Sequence, residues 1–179
     1  MKKIIAGKVA AFSLILITIF ALAFAACAQK QKITVKKINS LHKTFVKFES
    51  DEFQIFTLVN VERDKLGLNQ LLWDEEVAEI ARNYSERMAK ENFFSHFDAD
   101  GYSVLDRAKA ARLKHWSKVG ENLFSVVNLD KFDAFTVKNW MESSAHRENI
   151  LNSEWTTTGI GIARSPEGEF FITQVFIKR

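Results

Sequence analysis

The stretch from Thr158 to Ile177 constrains the fold more than any other part of the chain. Ile160 and Ile162 alternate with Gly159 and Gly161, and Glu169 to Ile177 is rich in Phe, Val and Ile. Between the two runs, Ser165-Pro166-Glu167-Gly168 carries Pro and Gly where a type I turn wants them. The pattern predicts an antiparallel hairpin over 158–163 and 169–177. Upstream the period changes to that of a helix. Phe56, Val59, Asn60 and Arg63 share a face from about Phe53, and Lys65-Leu66-Gly67 supplies a glycine stop. Asp74 is a good N-cap for a second helix, in which Val77, Ile80, Ala81, Tyr84 and Met88 form an apolar stripe ending near Asn92. A third helix fits 103–113, with Val104, Ala108 and Ala111 inward. A fourth fits 130–143, with Phe132, Phe135 and Trp140 inward. Leu123 to Val127 reads as a third strand. Helices before and between strands imply an α+β fold in which a mixed or antiparallel sheet packs between helices.

The length of 179 residues suits one domain plus a leader. Sixteen Phe and four Trp supply large side chains for a core, while one Pro and seven Gly argue against low complexity. No internal repeat is visible. The only cysteine is Cys27, so a disulfide framework within the chain is excluded.

Met1 to Lys8 is a basic segment, and Val9 to Ala26 is an apolar run broken only by Ser13 and Thr18. Together they read as a secretory signal. An uncleaved N-terminal anchor is one rival, since the run is near the lower limit for spanning a bilayer, and an ordinary signal peptide cut after Ala23 or Ala25, with Cys27 there by chance, is the other. Phe24-Ala25-Ala26-Cys27 resembles a bacterial lipobox, although Leu is usual where Phe24 stands. The expectation is therefore a lipoprotein: residues 1–26 as signal peptide, Cys27 carrying diacylglycerol and acyl chains such as palmitate, and 27–52 as a lysine-rich tether. Residues 53–179 follow as the folded domain. Several acyl chains anchor stably where one is marginal.

The formal charge of +3 belongs to the leader. Lys2, Lys3 and Lys8 lie there with no acid, so the remainder carries 22 basic and 22 acidic residues. With no global basic field, nucleic acid is not an expected partner. The membrane is one, through the lipid, and the chain is expected to be an exported monomer.

Three polar residues sit at element ends. His96 follows Asn92-Phe93-Phe94-Ser95, Glu121 stands in Gly120-Glu121-Asn122, and His146 follows Ser143-Ser144-Ala145. Two imidazoles and a carboxylate can bind a divalent metal with a position left open, or act as general acid and base. Spacing alone does not bring them together, and each equally suits a helix cap or a loop tie. Asp98-Ala99-Asp100-Gly101 suits a turn whose Asp side chains bond their own backbone better than a calcium loop. Ser125, Ser143 and Ser144 lack the glycine elbow of a nucleophile.

The words around these residues resemble those of bacterial CAP proteins, the cysteine-rich secretory protein-like or SCP-domain superfamily. The resemblance is carried by Leu58-Val59-Asn60 with Arg63 and Gly67-Leu68, by Leu72-Trp73-Asp74, and by Phe93-Phe94-Ser95-His96. Gly120-Glu121-Asn122-Leu123, Trp140-Met141-Glu142-Ser143, and His146-Arg147 with Asn149-Ile150-Leu151 continue it. Thr158-Gly159-Ile160-Gly161 and Thr173-Gln174-Val175-Phe176 complete it. It implies an α-β-α sandwich with a cleft lined by His96, Glu121 and His146, and in some members zinc. A further Glu of many eukaryotic members falls on Ser143, which offers at most an auxiliary hydroxyl, so weak metal binding is implied. Ser144-Ala145 also replaces the usual Pro-Gly before the second histidine. Three functions follow in order: a cell-envelope binding or interaction module for a protein or lipid ligand, a metal- or acid/base-dependent hydrolase, and a lipid or sterol binder known only by family analogy. Fold resemblance does not choose among them.

Overall fold

A computed structural model describes residues 50–179 together with Gln29. The leader, Cys27 and the tether residues up to 49, Gln29 excepted, lie outside the described residues. The chain divides into two compact units, Met1–Val46 and Lys47–Arg179, and the fold described below belongs to the second.

Helix α1 covers residues 50–64. It stops at Gly67, whose φ of +68° is the left-handed conformation that glycine adopts at no steric cost. Strand β1 (Leu72–Trp73) leads into α2 (Glu75–Glu91). The Asp74 side chain caps α2 by accepting from the Val77 N–H, and Asn92 closes the helix with a left-handed φ of 55°. A loop of residues 92–103 leads to the short α3 (Val104–Ala110), followed by β2 (Lys118–Val127), α4 (Asp133–Glu142), α5 (Ser144–Leu151), β3 (Thr157–Arg164) and β4 (Glu169–Lys178). The sheet order is β1-β3-β4-β2, with β1 parallel to β3 and the other pairings antiparallel.

β4 lies between two neighbours, and both of its faces are covered, which explains its unbroken apolar run. Ile160, Ile162, Phe170, Ile172 and Phe176 point to one side, where they meet Ile55 and Val59 of α1, Val137 and Trp140 of α4 and Ile150 of α5. Val175 and Ile177 point to the other side and pack with Val77, Ile80 and Ala81 of α2 and Ala108 of α3. Leu123, Ala163 and Phe171 on that side meet Tyr84 and Met88. The result is an α-β-α sandwich around a mixed sheet. The alternation of Gly159 and Gly161 has a steric cause. A Cβ on Gly159 would stand 2.1 Å from the Ala78 nitrogen, and one on Gly161 2.0 Å from the Arg82 nitrogen, so α2 rests directly on the β3 backbone.

Several expectations shift in detail. α3 ends at Ala110 and leaves Ala111 exposed, while Phe135 of α4 is also exposed, packing its ring on Phe124 instead of entering the core. β2 begins at Lys118, five residues before the apolar run that announces it, because its polar first half pairs with β4 from Gln174 to Lys178. His146 does not sit in a loop. It lies in α5, an eight-residue helix with a single buried residue, Ile150, and hence no apolar stripe to read.

Beyond the two residues covered by β1, the outer edge of β3 is completed by a side chain. Glu52 is 1% exposed, accepts the Ile162 N–H at 3.1 Å and holds Arg82 through both carboxylate oxygens. Burial raises its pKa, with Arg82 opposing. Arg63 is also fully buried, and its guanidinium donates to the carbonyls of Asn69, Ile150 and Asn152, tying the end of α1 to the end of α5.

Candidate functional site

The loop between α2 and α3 carries His96, and three local devices set its path. Asp98 Oδ1 accepts the N–H groups of Asp100 and Tyr102, the Asp turn expected from the sequence, while Oδ2 takes Arg87 Nη1 at 2.6 Å. The Tyr84 hydroxyl donates to the Ser95 carbonyl at 2.6 Å. Asp106 accepts from both the N–H and the hydroxyl of Ser103, which starts α3 and fixes the direction of Arg107 one residue on.

His96 and Glu121 are in direct contact: the imidazole Nδ1 lies 2.8 Å from Glu121 Oε1. The His96 side chain is half exposed, whereas that of Glu121 is 2% exposed. The other oxygen of Glu121 accepts from Arg107 Nη2 at 2.5 Å. Arg107 is itself held in place. Its guanidinium carbon lies 3.3 Å from the centroid of the Tyr84 ring, and Nη1 donates to the Tyr102 carbonyl at 3.0 Å. An acceptor oxygen on Nδ1 selects, for the neutral ring, the tautomer in which Nδ1 carries the proton. The Nε2 lone pair of His96 then points away from its only protein partner among the described residues. Burial pushes the phenol of Tyr84 up to about 12, so it stays a hydrogen-bond donor.

His146 reaches the same region from the opposite face of the sheet. Asn122, next to Glu121 in β2, donates to the His146 carbonyl at 3.1 Å. Asn149, one turn along α5, donates both to the Glu121 carbonyl and to Asn122 Oδ1. These bonds lock the start of α5 to β2 at Glu121. Burial, and then the positive charge that His96 can carry, lower the His146 pKa, so the two rings are within electrostatic reach and His146 is neutral at pH 7. Ser143 lies between α4 and α5, partly buried, and its hydroxyl makes no capping bond. Glu142 is exposed, and so is His115, in a left-handed turn.

The donor set can be tested against zinc by its chemistry. An imidazole backed by a carboxylate on its far nitrogen, beside a second neutral imidazole, suits a loosely held divalent ion. A third protein ligand is not supplied: Glu121 is engaged on both oxygens, and among the described residues no group of three or more His, Cys, Asp or Glu side chains is placed to hold a metal.

Sequence reasoning gave no role to Arg107, Asn122, Asn149 or Glu52, and saw Tyr84 only as part of an apolar stripe. Asn122 and Asn149 stood within quoted motifs, but nothing in spacing tells a tying asparagine from a turn residue. Arg107 carried a faint signal, being a charged residue beside the inward Ala108 on a capped helix.

Comparison with known proteins places this geometry. The chain is 37% identical over 131 residues to the uncharacterized membrane protein YlbC of Bacillus subtilis, covering 73% of this chain and 35% of that protein. It is 33% identical over 138 residues to the uncharacterized protein YkwD of the same organism, covering 77% of this chain and 52% of that one. It thus spans roughly a third to a half of the length of these relatives. Among solved structures, an extracellular protein containing an SCP domain from Bacillus anthracis superposes with a TM-score of 0.65 at 29% identity, over 73% of this chain and 41% of that one. The sequence model of the cysteine-rich secretory protein (CAP) family matches residues 56–176, a range that includes His96, Glu121 and His146, and the chain belongs to that family.

Proposed function

We propose that this chain is an exported lipoprotein of the bacterial cell envelope, anchored through Cys27, and that its CAP domain is a binding module whose cleft presents the imidazoles of His96 and His146 to a ligand. Export and anchoring are supported by the leader, by the lipobox-like Phe24-Ala25-Ala26-Cys27, and by relatives described as a membrane protein and as extracellular. The observation that carries the binding reading is the state of Glu121. Its carboxylate is buried and engaged on both oxygens by His96 and Arg107. It therefore orients His96 and is not free to take a proton from water itself. What the cleft offers outward is the Nε2 of His96 beside the neutral His146.

A divalent ion held by these imidazoles would supply a Lewis-acidic centre for a ligand's carboxylate, carbonyl or phosphate oxygen. This chain's own residues do the positioning: Glu121 fixes the His96 tautomer, Arg107 balances the charge of Glu121, and Asn122 and Asn149 hold α5 against β2. One observation favours hydrolysis as a second reading. A carboxylate behind an imidazole is also how a general base is oriented. Calorimetric titration of the full chain with zinc, run beside an assay on simple ester and amide substrates, separates the two. Binding without turnover supports the module. Turnover that is lost in His96→Ala, without zinc binding, would replace it by the hydrolase.

A further inference from the structure

We propose that the C-terminal end of β2, from Ser125 to Val127, is a docking edge for an extended segment of another polypeptide, which adds to the sheet as a further strand. β2 is the outermost strand on its side, with only β4 beside it. In an antiparallel pair the backbone groups of alternate residues bond the neighbour, and those of the residues between them point away. The carbonyls of Glu121 and Leu123 point away, since Asn149 and Trp140 donate to them. By the same alternation Ser125 and Val127 turn their N–H and C=O groups outward, and among the described residues no donor or acceptor meets them. The edge is thus capped by side chains over its first half and open over its second. Donors and acceptors left open at strand spacing are matched by one ligand chemistry, an extended backbone.

Apolar side chains stand on both faces of the open stretch. On one face the exposed ring of Phe135 packs on Phe124 at a centroid distance of 5.9 Å. On the other, Val127 is 53% exposed, and Phe94, 52% exposed, lies 6.5 Å from the ring of Phe171, the residue paired with Ser125. Successive side chains of an added strand would point alternately toward Phe135 and toward Val127 and Phe94. The partner that fits is an extended run of apolar, β-forming residues. It would also cover two exposed aromatic rings, on separate elements, that the core does not use. The surface is separate from His96 and His146 and stands whether or not they hold a ligand.

The test adds a capped peptide, a central Val-Phe-Val run between lysines, to the full chain in detergent, read by backbone NMR and amide hydrogen exchange. Binding should slow exchange at Ser125 and Val127 by about tenfold or more, with little change at Val126, whose N–H already faces β4. Two versions of the peptide, N-methylated on alternate residues, separate a ladder from apolar adsorption. The version that loses the N–H groups facing β2 should bind about tenfold more weakly, and the other like the unmethylated peptide. Val127→Pro removes one outward donor while sparing the β2–β4 bonds, and should weaken binding about fivefold. Equal binding by both methylated peptides, or binding that leaves the Ser125 and Val127 amides unprotected, would overturn the inference. So would the absence of binding at millimolar peptide. Protection of the same two amides in the chain alone, growing with its concentration, would overturn it in favour of a second copy of this chain.

Discussion

Replacing Gly161 by Ala probes the contact on which the sandwich depends. The added Cβ would lie 2.0 Å from the Arg82 nitrogen, 2.3 Å from the Ala81 carbonyl carbon and 2.4 Å from the Arg82 Cα. All three are helix backbone, so no side chain can swing aside. Restoring an ordinary contact near 3.4 Å requires α2 and β3 to part by about 1.4 Å locally, given the optimum carbon separations of packed interiors. That displacement loosens the packing of Val77, Ile80 and Ala81 and stretches the Ser85 hydroxyl bond to the Gly161 carbonyl, now 2.9 Å. Overpacking into side chains costs about 1–3 kcal/mol, and a rigid backbone obstacle belongs at or above the top of that range. The expected loss is about 3–4 kcal/mol, or about 10 °C in Tm for a domain of this size. Gly67→Ala is the control. Its Cβ meets nothing within 4 Å and only the φ of +68° opposes it, for a cost of about 1 kcal/mol. Urea unfolding of the full chain, followed by tryptophan fluorescence, measures both. If Gly161→Ala loses no more than Gly67→Ala, the claim that α2 rests on bare β3 backbone is wrong.

Other outcomes follow from the same structure. Glu52→Ala should cost about 2–4 kcal/mol, because it leaves the Ile162 N–H without its acceptor and Arg82 with only Glu75; Glu52→Gln keeps the acceptor and should cost about half, both read by urea unfolding. His146 is held below the ordinary histidine value of 6.5, so the unfolded chain takes up its proton first. Its contribution to stability is therefore full above pH 6.5 and is lost as pH falls toward the folded pKa, and His146→Gln should flatten the stability profile below about pH 6.5. A variant profile as steep as the parent's would contradict this. Cys27→Ser should abolish lipid attachment, and a Ser variant that partitions into detergent like the parent with the same mass would refute the anchor.

The elements that were legible in the sequence are those whose positions are set by one interaction. The stripe of α2 and the hairpin of β3 and β4 are repeated apolar patterns with a fixed period, while Asp74 marks the start of α2 by local hydrogen bonding and Gly67 the end of α1 by its φ. α5 was hidden because it is attached through Asn149, Asn122 and a single buried Ile150, a polar attachment without a period. β1 was hidden because two residues of parallel pairing leave no alternation to see. In the cleft, His96, Glu121 and His146 could be named from their motifs. Their electrostatic partner could not, since Arg107 acts across the gap between α3 and β2, and nothing along the chain encodes that distance.

The cleft and the protection of the sheet edge are made by the same contacts. β2 is an edge strand of ten residues, and an uncovered edge of that length invites pairing with another chain. Here Trp140 of α4 donates to the Leu123 carbonyl at 3.0 Å and Asn149 of α5 to the Glu121 carbonyl at 3.1 Å, two acceptors spaced two residues apart along the strand. These side chains occupy backbone groups that another strand would otherwise use, and in doing so they hold the start of α5, where His146 lies, against the stretch of β2 that carries Glu121. Glu121 itself projects to the opposite face, where Arg107 receives it. The polar residues of β2 that break its strand pattern are therefore the ones through which both helical layers grip its edge. A cleft with one histidine from each layer is the geometric consequence of closing the sheet with side chains instead of a fifth strand.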